Sequence, residues 1–353
     1  MTEDRLRAAL QCGVPGCNWI LRFDASGHAE AGSAADLDRI ENPKEGFVWV
    51  HLDSIDRRAL DVLRRITFLT PEAREVLSGD PNHPFVEFAD RIVFGALVDH
   101  RHTMEGPTLD TDYLRFVCGP AFVVTGRKVP LCSVDGARHA LADGAKAATP
   151  IALFEMIVTH LCKCSGSLLR NVAETLDKIE DIVVIEGRGR GQRAALGRAR
   201  RSAVRLARQV NGLQSTLQWL DEAAAGHSAV SEVAASLGQR ADALARDAAN
   251  LQDRARMLQD EINAILATET NDRLYTLTVI TAIILPATLV TGYFGMNTKA
   301  LPLAENEHGT LYATLICVAA SFGALYILRR MGLAGPEDET PEKPAKPPLK
   351  KRE

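Results

Sequence analysis

Between Leu274 and Tyr293 the chain runs for twenty residues without a charged side chain, and a second such run extends from Gly309 to Leu328 before ending in Arg329-Arg330. A bilayer's hydrocarbon core is about 30 Å thick, so roughly twenty apolar residues in a helix cross it. No other stretch of this 353-residue chain is uncharged over that length. Two spans are therefore expected at the C-terminal end, behind a soluble segment of about 270 residues.

The flanks give the orientation. Arg273 precedes the first span, and Arg329, Arg330, Lys343, Lys346, Lys350, Lys351 and Arg352 follow the second. Short flanks rich in Lys and Arg stay inside, so both termini are expected to be cytoplasmic, in the plasma (inner) membrane. Tyr275, Tyr293, Tyr312 and Tyr326 fall near the span ends, where amphipathic rings prefer the headgroup layer. The polar stretch from Met1 to Leu10 is no signal peptide. In the cytoplasm thiols stay reduced, and seven scattered cysteines are no disulfide framework. The spacings of Cys12 with Cys17 and of Cys162 with Cys164 are not those of a zinc knuckle, so ordinary thiols are expected. A net charge of −4 argues against a nucleic-acid partner.

The expected organisation is an N-terminal extension over residues 1–17 and an α/β domain over 18–149. A long-helix stalk follows at 150–273, then a span at 274–294, an external loop at 295–308, a second span at 309–328 and a disordered tail at 329–353. Runs rich in β-branched and aromatic residues place strands at Trp19–Phe23, Phe47–Leu52, Arg91–Val98, Tyr113–Cys118 and Ala121–Thr125, the last two joined at Gly119-Pro120. Ser54 precedes a helical pattern of Leu60, Leu63 and Ile66, and Thr70-Pro71-Glu72 is a helix start. The fold class is α+β, a mixed sheet covered by helices. Neither a phosphate loop nor a Ser/His/Asp set is present, so no enzyme is expected.

From Pro150 the pattern changes to long helices, at 151–186 and about 192–224, with glycines at 187, 189 and 191 read as a linker. Eight arginines crowd Arg188 to Arg208; a solvated face pairing with Glu174, Asp177, Glu180 and Asp181 is expected of them. Val230, Val233, Leu237, Ala241, Leu244, Ala248, Leu251, Ala255, Leu258, Ile262 and Ile265 follow by steps of three or four. That seam predicts one continuous helix from Val230 to Phe294. Continued into the membrane, its spacing selects Asn271, Leu274, Thr278, Thr281, Leu285, Thr288 and Gly292.

Polar groups in lipid are costly unless they face protein or water, so this stripe is either a wet path or a row of threonines bonded to their own helix. Pro286 frees a carbonyl nearby, that of Ala282. No carboxylate lies inside either span, which disfavours a dehydrated divalent site and favours a hydrated ion held by neutral oxygens.

The stretch from Leu285 to Asn297, ending in Gly295-Met296-Asn297 between two C-terminal spans, resembles the CorA superfamily of divalent-cation transporters. Trp49-Val50-His51-Leu52-Asp53 and Leu69-Thr70-Pro71-Glu72-Ala73-Arg74 resemble its zinc-transporting, ZntB-type branch. The likeness covers about Asn18 to Gly332 and implies a funnel-shaped homopentamer whose first spans line a pore. Gly295, Met296 and Asn297 match the family's selectivity filter, with Asn297 touching the ion through its hydration shell. The stripe matches its pore-lining positions, and Leu274, Leu277 and Leu285 its hydrophobic constrictions. Glu305, Glu307 and His308 would draw cations to the mouth.

Two departures pull apart. Leu301-Pro302-Leu303 stands where magnesium transporters carry an acid, which favours zinc, whereas Met296 favours magnesium or cobalt. Zn2+ is expected first and Mg2+ or Co2+ as the alternative, with no resident cofactor beyond regulatory divalent ions. A membrane-anchored coiled-coil scaffold is the competing class, and anchors need no polar stripe.

Overall fold

The computed structural model describes residues 13–184, 190–296 and 308–330. Two compact units divide the chain, the first ending at Glu261 and the second starting at Ile262.

The first unit is built on one seven-stranded sheet with the order β2-β1-β3-β7-β6-β5-β4. Its strands are β1 (Cys17–Phe23), β2 (Ala29–Ala31), β3 (Phe47–Asp53), β4 (Phe85–Ala89), β5 (Ile92–Thr103), β6 (Gly106–Cys118) and β7 (Phe122–Arg127). Only β3 and β7 pair in parallel; the other neighbours are antiparallel. The β6–β7 hairpin turns where Gly119-Pro120 was expected to turn it.

Both faces of the sheet are covered, which explains why β3 reads as an unbroken apolar run rather than an alternating one. Phe47 and Trp49 point to one core, while Val48, Val50 and Leu52 point to the other. The second core is closed by α1 (Ala34–Leu37), α2 (Ala59–Arg65) and α3 (Pro71–Ser78). The first core is closed by α4 (Cys132–Ala142), α5 (Pro150–Val184), α6 (Arg193–Ala223) and the N-terminal part of α7 (Ser228–Phe294).

Thr70 caps α3 as its sequence promised, its hydroxyl accepting from the Ala73 amide at 3.2 Å with Pro71 in the first turn. Around Ser54 the structure differs from expectation. The helix begins only at Ala59, because Asp53 and Asp56 take the Ile55 and Arg58 amides in tight turns of their own. Its buried face is Ala59, Val62, Leu63 and Ile66, whereas Leu60 is 42% exposed.

Helix α5 is also long and apolar enough to cross a membrane. Leu153, Phe154, Ile157, Val158 and Leu161 instead fill the first core, so it is a buried helix of a globular unit. Gly187 and Gly189 lie outside the described residues; Arg190–Gln192 form a short 3-10 turn before α6. On the seam, Leu237, Ala241, Ala248, Ala255, Leu258 and Ile262 are buried, and α7 runs unbroken for 67 residues. Among the described residues, Asp177 and Glu180 of α5 do not serve the α6 arginines as expected. Asp177 (2.6 Å) and Glu180 both take Arg254 of α7.

A buried polar group ties the sheet to α4 and α5. The Asp99 carboxylate accepts from the Ser133 amide (3.0 Å) and hydroxyl (2.6 Å), and His100 Nε2 lies 3.1 Å from Ser165 Oγ. Burial pushes the Asp99 carboxyl up to about 6 and the His100 imidazole down to about 4. Because Asp99 binds its proton more tightly folded than unfolded, its contribution is full below the ordinary carboxyl value and lost as pH rises through 6. Wild type is expected to gain on Asp99→Asn by about 2–3 kcal/mol between pH 6 and 4, read from denaturation midpoints at each pH.

Asp90 and Arg91 close the β4–β5 hairpin with positive φ at both positions, 51° and 65°. Arg91→Gly removes a side chain from the left-handed region and is expected to stabilise by about 1 kcal/mol, seen as a raised thermal midpoint.

Candidate ion pathway

In the second unit, the membrane-length part of α7 packs beside α8 (Gly309–Arg330). Ser321 Oγ donates to the Ile283 carbonyl at 3.0 Å, and Cys317 Sγ to the Ala287 carbonyl at 3.5 Å. These bonds sit at Pro286, which has no amide proton and disturbs the carbonyls one turn back. Ala282, whose carbonyl loses its helical partner there, is half-buried and off the stripe, so it does not add an oxygen to that row.

The two faces of α7 are distinct. Tyr275, Val279, Ala282, Pro286, Ala287, Val290 and Phe294 are half-buried, marking the side toward α8. Asn271, Leu274, Thr278, Thr281, Leu285, Thr288 and Gly292 are all exposed, about 140° round the helix from that side at 100° per residue. Leu274 is 57% and Leu285 66% exposed, and Leu277, at 60%, stands beside them. The chain thus uses one face for its own hairpin and leaves the polar stripe uncovered.

Both readings of the threonines meet in this geometry. Thr278 donates to the Leu274 carbonyl (2.8 Å), Thr281 to that of Leu277 (2.7 Å) and Thr288 to that of Leu285 (2.8 Å). Thr276 and Thr291, off the stripe, bond their own helix in the same way. Each stripe hydroxyl has committed its proton inward, so its oxygen presents lone pairs outward. The row is an acceptor surface.

Gly295 ends the helix, its amide donating to the Thr291 carbonyl at 2.8 Å, and the Met296 amide bonds the Tyr293 carbonyl. Met296 is exposed. Asn297, Glu305 and Glu307 lie outside the described residues, while His308 opens α8 by accepting the Tyr312 amide at 3.1 Å. Among the described residues no three His, Cys, Asp or Glu side chains come together to hold a metal. Cys162 is a core thiol that burial pushes up to about 11, and Cys164 lies against the Cys132 thiol.

Comparison with known proteins fixes the family. The description of CorA-like Mg2+ transporter proteins matches residues 44–330. The chain belongs to that family. It is a transporter of divalent cations and not an enzyme. It is 24% identical over 320 residues to the zinc transport protein ZntB of Pectobacterium carotovorum, covering 88% of this chain and 93% of that one. It is 23% identical over 298 residues to the divalent cation transporter CmaX of Pseudomonas aeruginosa, covering 81% and 87%. The solved structure of full-length CmaX superposes with a TM-score of 0.76 over 90% of this chain and 98% of the other, at 20% identity, which supports the fold.

The glycines at the helix end separate by their surroundings. A Cβ on Gly295 would stand 2.9 Å from the Thr291 carbonyl oxygen, whereas one on Gly292 would meet nothing within 4 Å. Gly295→Ala is expected to lower the thermal midpoint of detergent-solubilised protein, and Gly292→Ala, inside the helix with room for its methyl, to raise it slightly.

Proposed function

We propose that five copies of this chain assemble into a funnel in the inner membrane, both termini cytoplasmic, and that the exposed stripe of each α7 lines a central pore for a hydrated dication. The uncovered acceptor row opposite the α8-packed face carries this reading. Water bound to a cation turns its hydrogens outward, so a wall of hydroxyl oxygens complements a hydrated cation and repels a hydrated anion. Leu274, Leu277 and Leu285 would add apolar rings that gate by dewetting.

Gly295, Met296 and Asn297 would form the filter at the outer mouth, with the Asn297 amides meeting the ion through its hydration shell. Glu305, Glu307 and His308 would raise the local cation concentration there. No Asp, Glu, His, Lys or Arg lies between Leu274 and Tyr293 or between Gly309 and Leu328, so the spans hold none of the usual carriers of a proton relay.

Zinc is the favoured ion. The similarity to a zinc transport protein, the stretch Trp49 to Asp53 and the neutral Leu301-Pro302-Leu303 support it. Met296 and the family's description favour magnesium or cobalt as the second reading.

Metal uptake into proteoliposomes tests both ion and path. Asn297→Ala is expected to cut Zn2+ flux by about tenfold, the order of one lost polar contact to the passing ion's shell. Thr281→Val with Thr288→Val is expected to lower flux several-fold, and Thr276→Val, the same change off the stripe, to leave it unaltered. Equal effects at Thr276 and Thr281 would remove the stripe from the pathway; faster Mg2+ than Zn2+ uptake would reverse the ion assignment.

A further inference from the structure

Helix α6 buries one stripe, Leu196, Ala199, Ala203, Leu206, Ala207 and Val210, and exposes another that is crowded with arginine. Arg201, Arg205 and Arg208 follow at helical spacing on the exposed side, with Arg200 beside them. Together with Gly197, Val204 and Gln259 of α7 they line a groove of about 450 Å3. A hollow of about 540 Å3 shares Arg205 and Arg208 with it and adds Arg101 from β5.

Five guanidinium groups therefore face two joined depressions in a chain whose net charge is −4. The only carboxylate in either lining is Asp110, 3.9 Å from Arg205, with both side chains more than half exposed. A pair so long and so wet contributes little. Among the described residues, Arg200, Arg201 and Arg208 have no acidic partner, and the α5 acids Asp177 and Glu180 are held by Arg254. Among the described residues, Asp110 is the one carboxylate paired with any of these arginines.

Crowded cations of one sign repel, and a ligand with several negative oxygens relieves that repulsion in one step. Guanidinium forks match phosphate oxygens two at a time. A single carboxylate carries too little charge to answer four arginines, whereas linked or clustered phosphates carry enough. Neither lining holds an aromatic ring on which a base would stack, so the phosphates themselves would be read. We propose that the arginine groove of α6 is a binding site for a phosphate-bearing polyanion, either a soluble polyphosphate or clustered anionic headgroups.

The test uses full-length protein in phosphatidylcholine nanodiscs and does not involve metal flux, so its outcome is independent of the transport reading. Inorganic triphosphate is titrated by calorimetry at low and high salt, and phosphatidylglycerol vesicles are offered in a flotation assay. Arg201→Ser with Arg205→Ser is compared with Arg246→Ser, which removes an exposed arginine paired with Asp242 elsewhere. Thermal melts check that each variant folds.

Salt-sensitive triphosphate binding, weakened at least about tenfold in the double variant and kept in Arg246→Ser, is the expected result. Vesicle capture without triphosphate binding, lost in the same double variant, supports the site and assigns the headgroup as its source. No binding of either probe, or binding retained by the folded double variant, overturns the proposal. Loss of oligomer in the double variant without phosphate binding also overturns it and gives the groove to a second copy of the chain.

Discussion

Hydrocarbon offers no hydrogen-bond partners, and this constraint would govern the two helices after Arg273 that are long and apolar enough to cross a membrane. A threonine in a span must hand its proton to a carbonyl of its own helix, and every threonine of α7 from Thr276 onward does so. The consequence is asymmetric. Off the stripe the bond merely hides a hydroxyl, but on the stripe it leaves a row of oxygens that accept and do not donate. Such a row is poorly placed against lipid and well placed against water ordered by a cation. Self-assembly with the stripes turned inward would remove the cost and produce the conduit together, so the same residues would account for both parts of the proposal.

The first unit obeys a different logic. Its sheet is covered on both faces, which requires α4, α5, α6 and the start of α7 to share one core. The seam of α7 is rich in alanine where it is buried, at Ala234, Ala241, Ala248 and Ala255, so neighbouring backbones approach closely. Charged groups then hold the register at its rim. Gln214 donates to Asp242, Arg240 to Thr159, and Arg254 pairs with Asp177 and Glu180.

What could be read from residue order follows from what each element depends on. Strands β1, β3 and β7 were legible because burial on both faces makes them continuous apolar runs, and the stripe of α7 was legible as a helical period in an uncharged background. Strand β2 has three residues, and β4 ends in a hairpin turn without glycine at Asp90-Arg91, so neither carries the usual punctuation. The outer halves of β5 and β6, Asp99 to Thr103 against Gly106 to Asp112, are mostly polar and are strands because they pair with each other. The partners of Asp177 and Glu180 were not legible at all. Arg254 lies more than seventy residues away, and only helix packing brings it to them.

The absence of a carboxylate from both spans has a further consequence for the proposed pore. A dication stripped of water would need several anionic ligands, and the depth of that well would slow its exit. Neutral oxygens acting on an intact hydration shell make a shallow well, so passage is fast but discrimination by the wall is weak. Under the proposal, selectivity would be concentrated at the mouth, where Asn297 would sense the size of the hydrated ion and the acids after it would raise its concentration. With Leu301-Pro302-Leu303 neutral, the attracting charge moves to Glu305 and Glu307 with His308 beside them. An imidazole close in sequence to two carboxylates would suit zinc better than magnesium, because magnesium binds oxygen and holds its water while zinc also accepts nitrogen. In the proposed mouth His308 would therefore favour zinc, as the N-terminal likeness does, whereas Met296 would favour magnesium or cobalt.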